Sequence, residues 1–267
     1  MIRVLLYVAA QNSITNAVRS NEEMAEDLFN RTFGRSMRAY RLVLSLLECL
    51  RFGAPAARER FVDSLRQTAE AVLARQDFGT SEERAAALER MLQQVQGAGS
   101  NTIKDALATA DASCIVLMHT MVDGAVQDYC QVSALLKPTD WLAAVKGQKL
   151  TLAEALDQPQ EKLMRDQIGR YLTNLARESL MEKIDNLQKA CQPGRAEILK
   201  NYSYDVDRIR RIDRQRHDIV HETFGSQFEN VSDDLEYLER THVYLSALIT
   251  HRYGLRVGPE AMREAER

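Results

Sequence analysis

Apolar residues recur every three to four positions along almost the whole chain, which is the spacing of one face of an α-helix. The clearest stripe, from Ile103 to Ala125, predicts a helix over about residues 100–135. The polar run 100–102 offers N-cap side chains at its start, and Pro138 is expected to stop it. This pattern predicts long helices and gives no sign of the alternation that marks strands.

Three further stripes follow in the second half of the chain. The first predicts a helix from about Pro159 to Pro193, and the second predicts a helix over about 203–223. The third predicts a helix that begins at Ser232 or Asp233 and ends before residue 254, a glycine suited to a helix C-terminus. Four long helices are therefore expected between residue 100 and the end of the chain.

The first 98 residues have the pattern of three or four more helices, separated by turns at 53–55 and 79–81. The most polar break lies at 96–101. We place a domain boundary there, between an N-terminal helical region, residues 1–98, and a helical bundle, residues 99–267. No function is assigned to the N-terminal region.

Composition supports an all-α fold and limits the kinds of partner. The 267 residues include only 12 glycines and 5 prolines, too few for a fold with many turns. The formal net charge of −3 excludes a chain that is basic overall. Any binding of nucleic acid must therefore come from a local basic patch.

The four cysteines, Cys49, Cys114, Cys130 and Cys191, fit no zinc-ligand spacing. They are expected to be small buried hydrophobic residues in a reducing compartment. The apolar opening segment 1–10 is too short to span a bilayer, and no stretch of about 18 apolar residues follows. We therefore expect a cytoplasmic protein without a membrane span, and without a metal or other cofactor.

The segment 208–222 carries the most distinctive chemistry. Five arginines lie within nine residues, and two histidines follow within the next five: Arg208, Arg210, Arg211, Arg214, Arg216, His217 and His221. Side chains on a helix turn by about 100° per residue, so these cannot share one face. The apolar members Ile209, Ile212, Ile219 and Val220 are expected to form the buried stripe.

On the polar side, Asp213, His217 and His221 stand four residues apart, in one line along the helix. Arg216 precedes His217, and its long side chain could swing toward His221. This set suits RNA cleavage, because RNA supplies its own nucleophile, the 2′-hydroxyl. A histidine moves protons near neutral pH, an arginine stabilises the phosphorane, and the other arginines can hold neighbouring phosphates.

Arg216, four intervening residues and His221 together resemble the R-x4–6-H motif of the HEPN superfamily, small helical bundles of prokaryotic defence and toxin–antitoxin systems. The polar residue that follows the motif arginine is here His217. The resemblance covers roughly residues 100–253, is strongest over 208–222, and includes one more helix after the motif. It places the motif late in a HEPN-like bundle.

The resemblance implies a metal-independent endoribonuclease, a hydrolase that acts on RNA in antiviral defence or as a toxin. It implies a homodimer whose two motifs face each other, with an antitoxin or another defence-system protein as a possible partner. Arg216 and His221 would be the essential pair, and His217 their polar companion. Arg208, Arg210, Arg211 and Arg214 are candidate RNA-binding residues. Thr223 stands where some family toxins have a modified tyrosine.

Several plainer interpretations stay open. Arg216 and His221 could be a structural pair that offsets the dipole near a helix end. His217 and His221 could instead bind a metal, with Asp213 or Glu222 as a third ligand. The arginine cluster could be a solvated face with surface ion pairs. The whole chain could also be a non-enzymatic helical adaptor that binds RNA or protein, with residues 1–98 as its partner-binding part.

Outside this segment, His119 is interpreted as a partly buried core histidine. Asp123 and Asp128 are candidates for an acidic residue that an earlier helix contributes to the site, with a surface or backbone-bonded carboxylate as the plainer alternative. Tyr129 and Trp141 are expected to be packing residues.

Overall fold

A computed structural model describes residues 20–75, 80–146, 159–192, 195–200, 202, 204–221 and 230–266, without the side chains of 94–100, 196 and 221. Within these ranges the chain forms nine α-helices, one 3-10 turn and no strand, which confirms the all-α prediction. The helices are α1 (Asn21–Leu73), α2 (Ser81–Leu136), α3 (Leu142–Val145), α4 (Gln160–Leu175), α5 (Leu180–Ala190), α6 (Arg195–Ile198), α7 (Val206–His221), α8 (Val231–Tyr253) and α9 (Pro259–Glu266), and the 3-10 turn is Pro138–Trp141.

The described residues divide into two compact units. The first unit lies within Met1–Arg38, Thr120–Arg210 and Leu238–Arg267, and the second within Ala39–His119 and Arg211–Tyr237. Helices α1, α2, α7 and α8 each contribute residues to both units. The boundary predicted after residue 98 falls inside α2, so the compact units divide the chain at other points than the sequence suggested.

The core of the first unit contains a group of rings in contact with one another. The Tyr129 ring lies 5.7 Å from Phe29 and 5.8 Å from His242, and Phe33 lies 5.7 Å from the same histidine. The Tyr129 hydroxyl and the Nε2 atom of His242 are hydrogen bonded at 2.9 Å. Trp141 is also buried, and its Nε1 donates to Ser133. Tyr129 and Trp141 are thus packing residues, as predicted.

The core of the second unit is built from one face of each of its helical segments. Its buried apolar members include Val43, Leu47, Ala69, Leu73, Ile115, Met118, Ile212 and Leu235. On α1, the row Leu42, Leu46 and Leu50 is exposed, with 56%, 49% and 37% of each residue accessible. Within the described residues, α1 therefore has a buried and an exposed apolar face over the same turns.

Helix α2 begins at Ser81, so the predicted start near residue 100 was wrong. A reciprocal cap fixes the true start, because the Glu83 backbone N–H donates to Thr80 Oγ1 and the Thr80 N–H donates to the Glu83 carboxylate. The helix continues through the polar segment 96–101 because each glycine there costs only about 1 kcal/mol and no proline interrupts it. The predicted helix end before Pro138 is confirmed.

Helix α1 runs through Pro55, so the predicted turn at 53–55 was wrong. A proline inside a helix removes one backbone donor and leaves a carbonyl without its partner. Phe52, Gly53 and Pro55 are exposed, so water can reach that carbonyl. One helix of 53 residues thus replaces several of those predicted for the N-terminal region.

The helix predicted over 159–193 is two helices, because the chain leaves the helical path between Leu175 and Leu180. Ser179 caps α5 by accepting from the Glu182 backbone N–H, and the Glu182 carboxylate accepts from the Ser179 N–H in return. Sequence reading also missed α9. The sequence pattern predicted α8 well. The end of this helix is marked by the positive φ of 72° at Gly254.

Within the described part of the chain, one stretch is long and apolar enough to cross a membrane by length and composition. It is Asn101–Leu136, where the mean hydropathy over 18 residues reaches 1.2 and 28% of that window is buried. Core helices of soluble proteins pass the same test. The cytoplasmic location stays a prediction.

Candidate functional site

The motif helix α7 begins where the sequence predicted, within the expected run 203–223. Asp205 caps it, since its Oδ1 accepts hydrogen bonds from the backbone N–H groups of Asp207 at 3.0 Å and Arg208 at 3.2 Å. The helix is described as far as His221, and Glu222 and Thr223 lie outside the described residues.

The buried stripe of α7 is shorter than predicted. Ile209 and Ile212 are 1% and 0% exposed, and Ile219 is half-buried. Val220 is 51% exposed, so its predicted place in the stripe was wrong. Helix geometry explains this, because Val220 is turned about 80° away from Ile212 whereas Ile219 is turned by only about 20°.

Arg216 and His217 have different surroundings although they are neighbours. His217 is exposed, whereas Arg216 is half-buried and its Nε atom is buried without a hydrogen-bond acceptor among the described residues. Arg216 lies only about 40° around the helix from Ile212, which directs the base of its side chain toward the buried stripe.

The predicted meeting of Arg216 and His221 stays a prediction, because the His221 side chain lies outside the described part. Five residues along an ideal helix correspond to a turn of about 140° and a rise of about 7.5 Å. The Arg216 side chain must therefore extend around the helix if the two groups are to act together within one chain.

The four candidate RNA-binding arginines differ in exposure and in their partners. Arg208 is half-buried, whereas Arg210, Arg211 and Arg214 are exposed. Arg210 forms a surface pair with Asp207 at 3.3 Å. Arg211 donates at 2.6 Å to Asp234, a residue only 2% exposed. Arg211 therefore holds a buried carboxylate in place, so a purely RNA-binding role does not describe it.

Asp213, the first residue of the polar line, has a partner that the sequence did not reveal. The Nε2 atom of His119 lies 2.8 Å from Asp213 Oδ1, and both residues belong to the second unit. The side chains are 6% and 30% exposed, which confirms His119 as a buried histidine. A histidine on the apolar face of α2 was the available signal, since such a ring needs a hydrogen-bond partner.

A second polar contact in this unit involves Arg51 of α1. Its guanidinium donates to Ser232 Oγ at 2.8 Å and to Asp111 Oδ1 at 3.1 Å. Burial, together with the nearby Asp111 carboxylate, raises the pKa of the Cys114 thiol. The Arg51 contact ties α1 to α2 and to the start of α8 within the second unit.

The two carboxylates considered as contributions from an earlier helix both have other partners, in the first unit. Lys183 donates to both oxygens of Asp123 at 2.7 Å. Asp128 accepts from the Thr32 hydroxyl at 2.7 Å. Of Asp123, Asp128 and Asp213, it is Asp213, on the motif helix itself, that lies within hydrogen-bond distance of a histidine.

Three of the four cysteines are buried as expected, and Cys49 is exposed, so that prediction was wrong for Cys49. Cys49 lies beside the exposed leucine row of α1, where an apolar residue does not guarantee burial. Among the described residues, no group of three or more His, Cys, Asp and Glu side chains is placed to hold a metal ion.

Comparisons with protein-family models, with curated proteins and with solved structures find no match to this chain. The HEPN resemblance therefore depends on the motif residues and their position in an all-α chain.

Proposed function

We propose that the chain is a metal-independent endoribonuclease of the HEPN kind that acts in defence or as a toxin. Arg216 stabilises the charged phosphorane, His221 moves the proton, and His217 orients the substrate. The observation that carries the proposal is the state of the motif arginine. Its buried Nε donor has no acceptor in the described part of the chain, and the adjacent His217 is exposed. Because this Nε is itself enclosed by the protein, an anionic ligand or a second chain would meet Arg216 through the accessible part of its side chain.

The reaction needs only groups present in the chain and the substrate. The RNA 2′-hydroxyl loses its proton to a base, and its oxygen bonds to the adjacent phosphorus. The bond from phosphorus to the 5′-oxygen then breaks, and that oxygen receives a proton. The products are a 2′,3′-cyclic phosphate and a 5′-hydroxyl. Histidine suits both proton transfers, because it gains and loses a proton near neutral pH.

Helix geometry favours a site built from two chains. Arg216 and His221 lie about 140° apart around α7, so one copy presents them in different directions. Two copies of α7 that face each other would place an arginine of one chain near a histidine of the other. This agrees with the homodimer that the resemblance implies.

The test is cleavage of a fluorescent single-stranded RNA by the purified protein in EDTA, with a substrate of 2′-deoxynucleotides as a chemical control. We expect cleavage of the RNA, cyclic phosphate ends, and an intact deoxy substrate. Arg216→Ala and His221→Ala should each lower kcat/KM roughly 30–1000-fold, which corresponds to about 2–4 kcal/mol of transition-state stabilisation.

Arg165→Ala is the control, because Arg165 is an exposed arginine in a surface pair with Glu161, on a helix without a candidate RNA-binding residue. It should reduce cleavage far less than Arg216→Ala does. The nuclease proposal would be contradicted if the purified protein leaves many RNA sequences uncut and its expression in cells does not arrest growth. Growth arrest that His221→Ala relieves would support it.

A second candidate function is a non-enzymatic helical adaptor. The exposed row Leu42, Leu46 and Leu50 on α1 favours it, because leucines spaced four residues apart suit packing against a helix of another protein. Intact RNA in the cleavage assay, together with loss of a stable protein complex in Leu46→Ser, would favour the adaptor over the nuclease.

A further inference from the structure

We propose that His119 is a positioning residue that holds the Asp213 carboxylate in place, so that Asp213 orients the imidazole of His217. The inference deepens the proposed function and rests on it, since His217 matters for RNA only if the chain binds or cuts RNA. The observation that starts it is the 2.8 Å contact between His119 Nε2 and Asp213 Oδ1.

The two partners are unequally buried, so the buried His119 can hold the more exposed Asp213 in place. The His119 side chain is 6% exposed, so packing restricts its ring. The Asp213 side chain is 30% exposed and therefore reaches the surface of the second unit. The packed ring of His119 can therefore fix the orientation of the Asp213 carboxylate at the surface of the unit.

Helix geometry brings Asp213 and His217 together. Residues four apart on a helix have Cβ atoms about 5–6 Å apart and are turned by only about 40° from each other. A carboxylate accepts several hydrogen bonds, so Asp213 can hold His119 and His217 at the same time. His217 is exposed, so it can meet a substrate while it is held.

Two arginines of this unit have carboxylate partners of their own. The Arg51 guanidinium binds Asp111, and Arg211 binds Asp234. These two cations therefore have carboxylate partners other than Asp213. A histidine held by a carboxylate keeps one tautomer and one ring orientation, which is the state that directed proton transfer or substrate contact requires.

The direct test reads the histidine tautomers by ¹⁵N NMR of the full chain without RNA. In the wild type, His119 should carry its proton on Nε2, and His217 should show one dominant tautomer. Asp213→Asn should shift His217 toward averaged nitrogen signals, and His119→Leu should do the same. Asp218→Asn is the matched control, because it removes a charge from an exposed position on the same helix and should leave His217 unchanged.

The second arm measures RNA cleavage. Asp213→Asn and His119→Leu should lower kcat roughly 10–100-fold with little change in KM. His119→Gln should restore most of kcat, since its amide can donate from a similar place. Asp213→Asn alters a partly exposed residue, so it keeps the test decisive if His119→Leu does not fold.

The outcomes separate the two proposals. An unchanged His217 tautomer in Asp213→Asn overturns the positioning role, whatever the protein does to RNA. A changed tautomer in a chain that cuts no RNA supports the positioning role and contradicts the nuclease. If His119→Leu lowers kcat, His119→Gln does not restore it, and the His217 tautomer stays as in the wild type, then His119 has a purely structural role. That result also overturns the inference.

Discussion

The Lys183 ammonium lies 2.7 Å from both carboxylate oxygens of Asp123, yet the two side chains are unequally buried, at 4% and 32% exposed. Water can therefore solvate Asp123 if its partner is removed, whereas Lys183 has no comparable access. An ion pair of this kind should respond differently to the loss of each partner.

Asp123→Ala should lower the free energy of unfolding by about 3–5 kcal/mol, because it leaves a buried ammonium without its counterion. Lys183→Met should cost clearly less, since the aliphatic side chain keeps the packing and Asp123 can turn to solvent. Urea unfolding of both variants gives the comparison. The exposed pair Lys189 and Asp185, at 2.6 Å, is the control, and Lys189→Ala should change stability by no more than about 0.5 kcal/mol. Equal losses from Asp123→Ala and Lys183→Met would contradict this account.

The buried His242 should make the fold sensitive to acid. Burial lowers the pKa of His242 to about 4, well below the value of about 6.5 in an unfolded chain. Between these values the unfolded chain binds a proton that the folded chain does not, so stability falls as the pH falls. The loss from this group should be about 2 kcal/mol at pH 5 and about 3 kcal/mol below pH 4.

Urea unfolding between pH 8 and pH 4 measures this dependence. His242→Gln removes the titrating group, so the difference between wild type and variant should shrink as the pH falls. His251→Gln is the matched control, because His251 is an exposed histidine on the same helix. This variant should lose stability with falling pH as the wild type does. If His242→Gln and wild type lose stability in parallel, burial of His242 does not govern the acid response.

Adjacent arginines on α7 should differ in their effect on stability. Arg211→Ala leaves the carboxylate of Asp234 buried without this donor, which should cost about 1–3 kcal/mol. Arg210→Ala removes only a surface pair with Asp207 and should cost about 0.5 kcal/mol or less. Thermal or urea unfolding of the two single variants provides the measurement. A loss from Arg211→Ala no larger than that from Arg210→Ala would contradict a stabilising role of the Arg211 contact.

The start of α5 depends on one hydroxyl. Ser179→Ala removes the acceptor for the Glu182 N–H and should cost about 1 kcal/mol of stability. Ser113→Ala is the control, because the Ser113 hydroxyl bonds back to the Thr109 carbonyl within α2 and caps nothing. That change should be close to neutral or slightly stabilising. Equal losses in the two variants would show that the cap contributes little.

Periodicity predicted the helical class because it reports which positions are buried along one element. It placed α7 and α8 well, since each carries a clear stripe and Gly254 marks the end of α8. It failed where a continuing helix contains residues typical of breaks, as at Pro55 in α1. It also failed where one stripe continues across two helices, because the cap at Ser179 starts a new helix without changing the apolar spacing.

The contacts around the motif could be predicted only in part. The line from Asp213 to His217 follows from spacing within one helix. The partnership of Asp213 with His119 joins residues 94 positions apart, and only the packing of helices determines it. The same holds for Arg211 and Asp234, because the spacing of the arginines alone does not show which of them has a buried partner.

The four cysteines differ in exposure, so the number of thiols that react with a reagent reports whether the chain is folded. Burial raises the pKa of the thiols of Cys114, Cys130 and Cys191, the last to about 12, while Cys49 is exposed. A maleimide or disulfide reagent should therefore add once to the native protein at neutral pH and three more times as the helices open. Mass spectrometry after a brief pulse of such a reagent would count folded and unfolded molecules directly, without an added dye or an engineered residue.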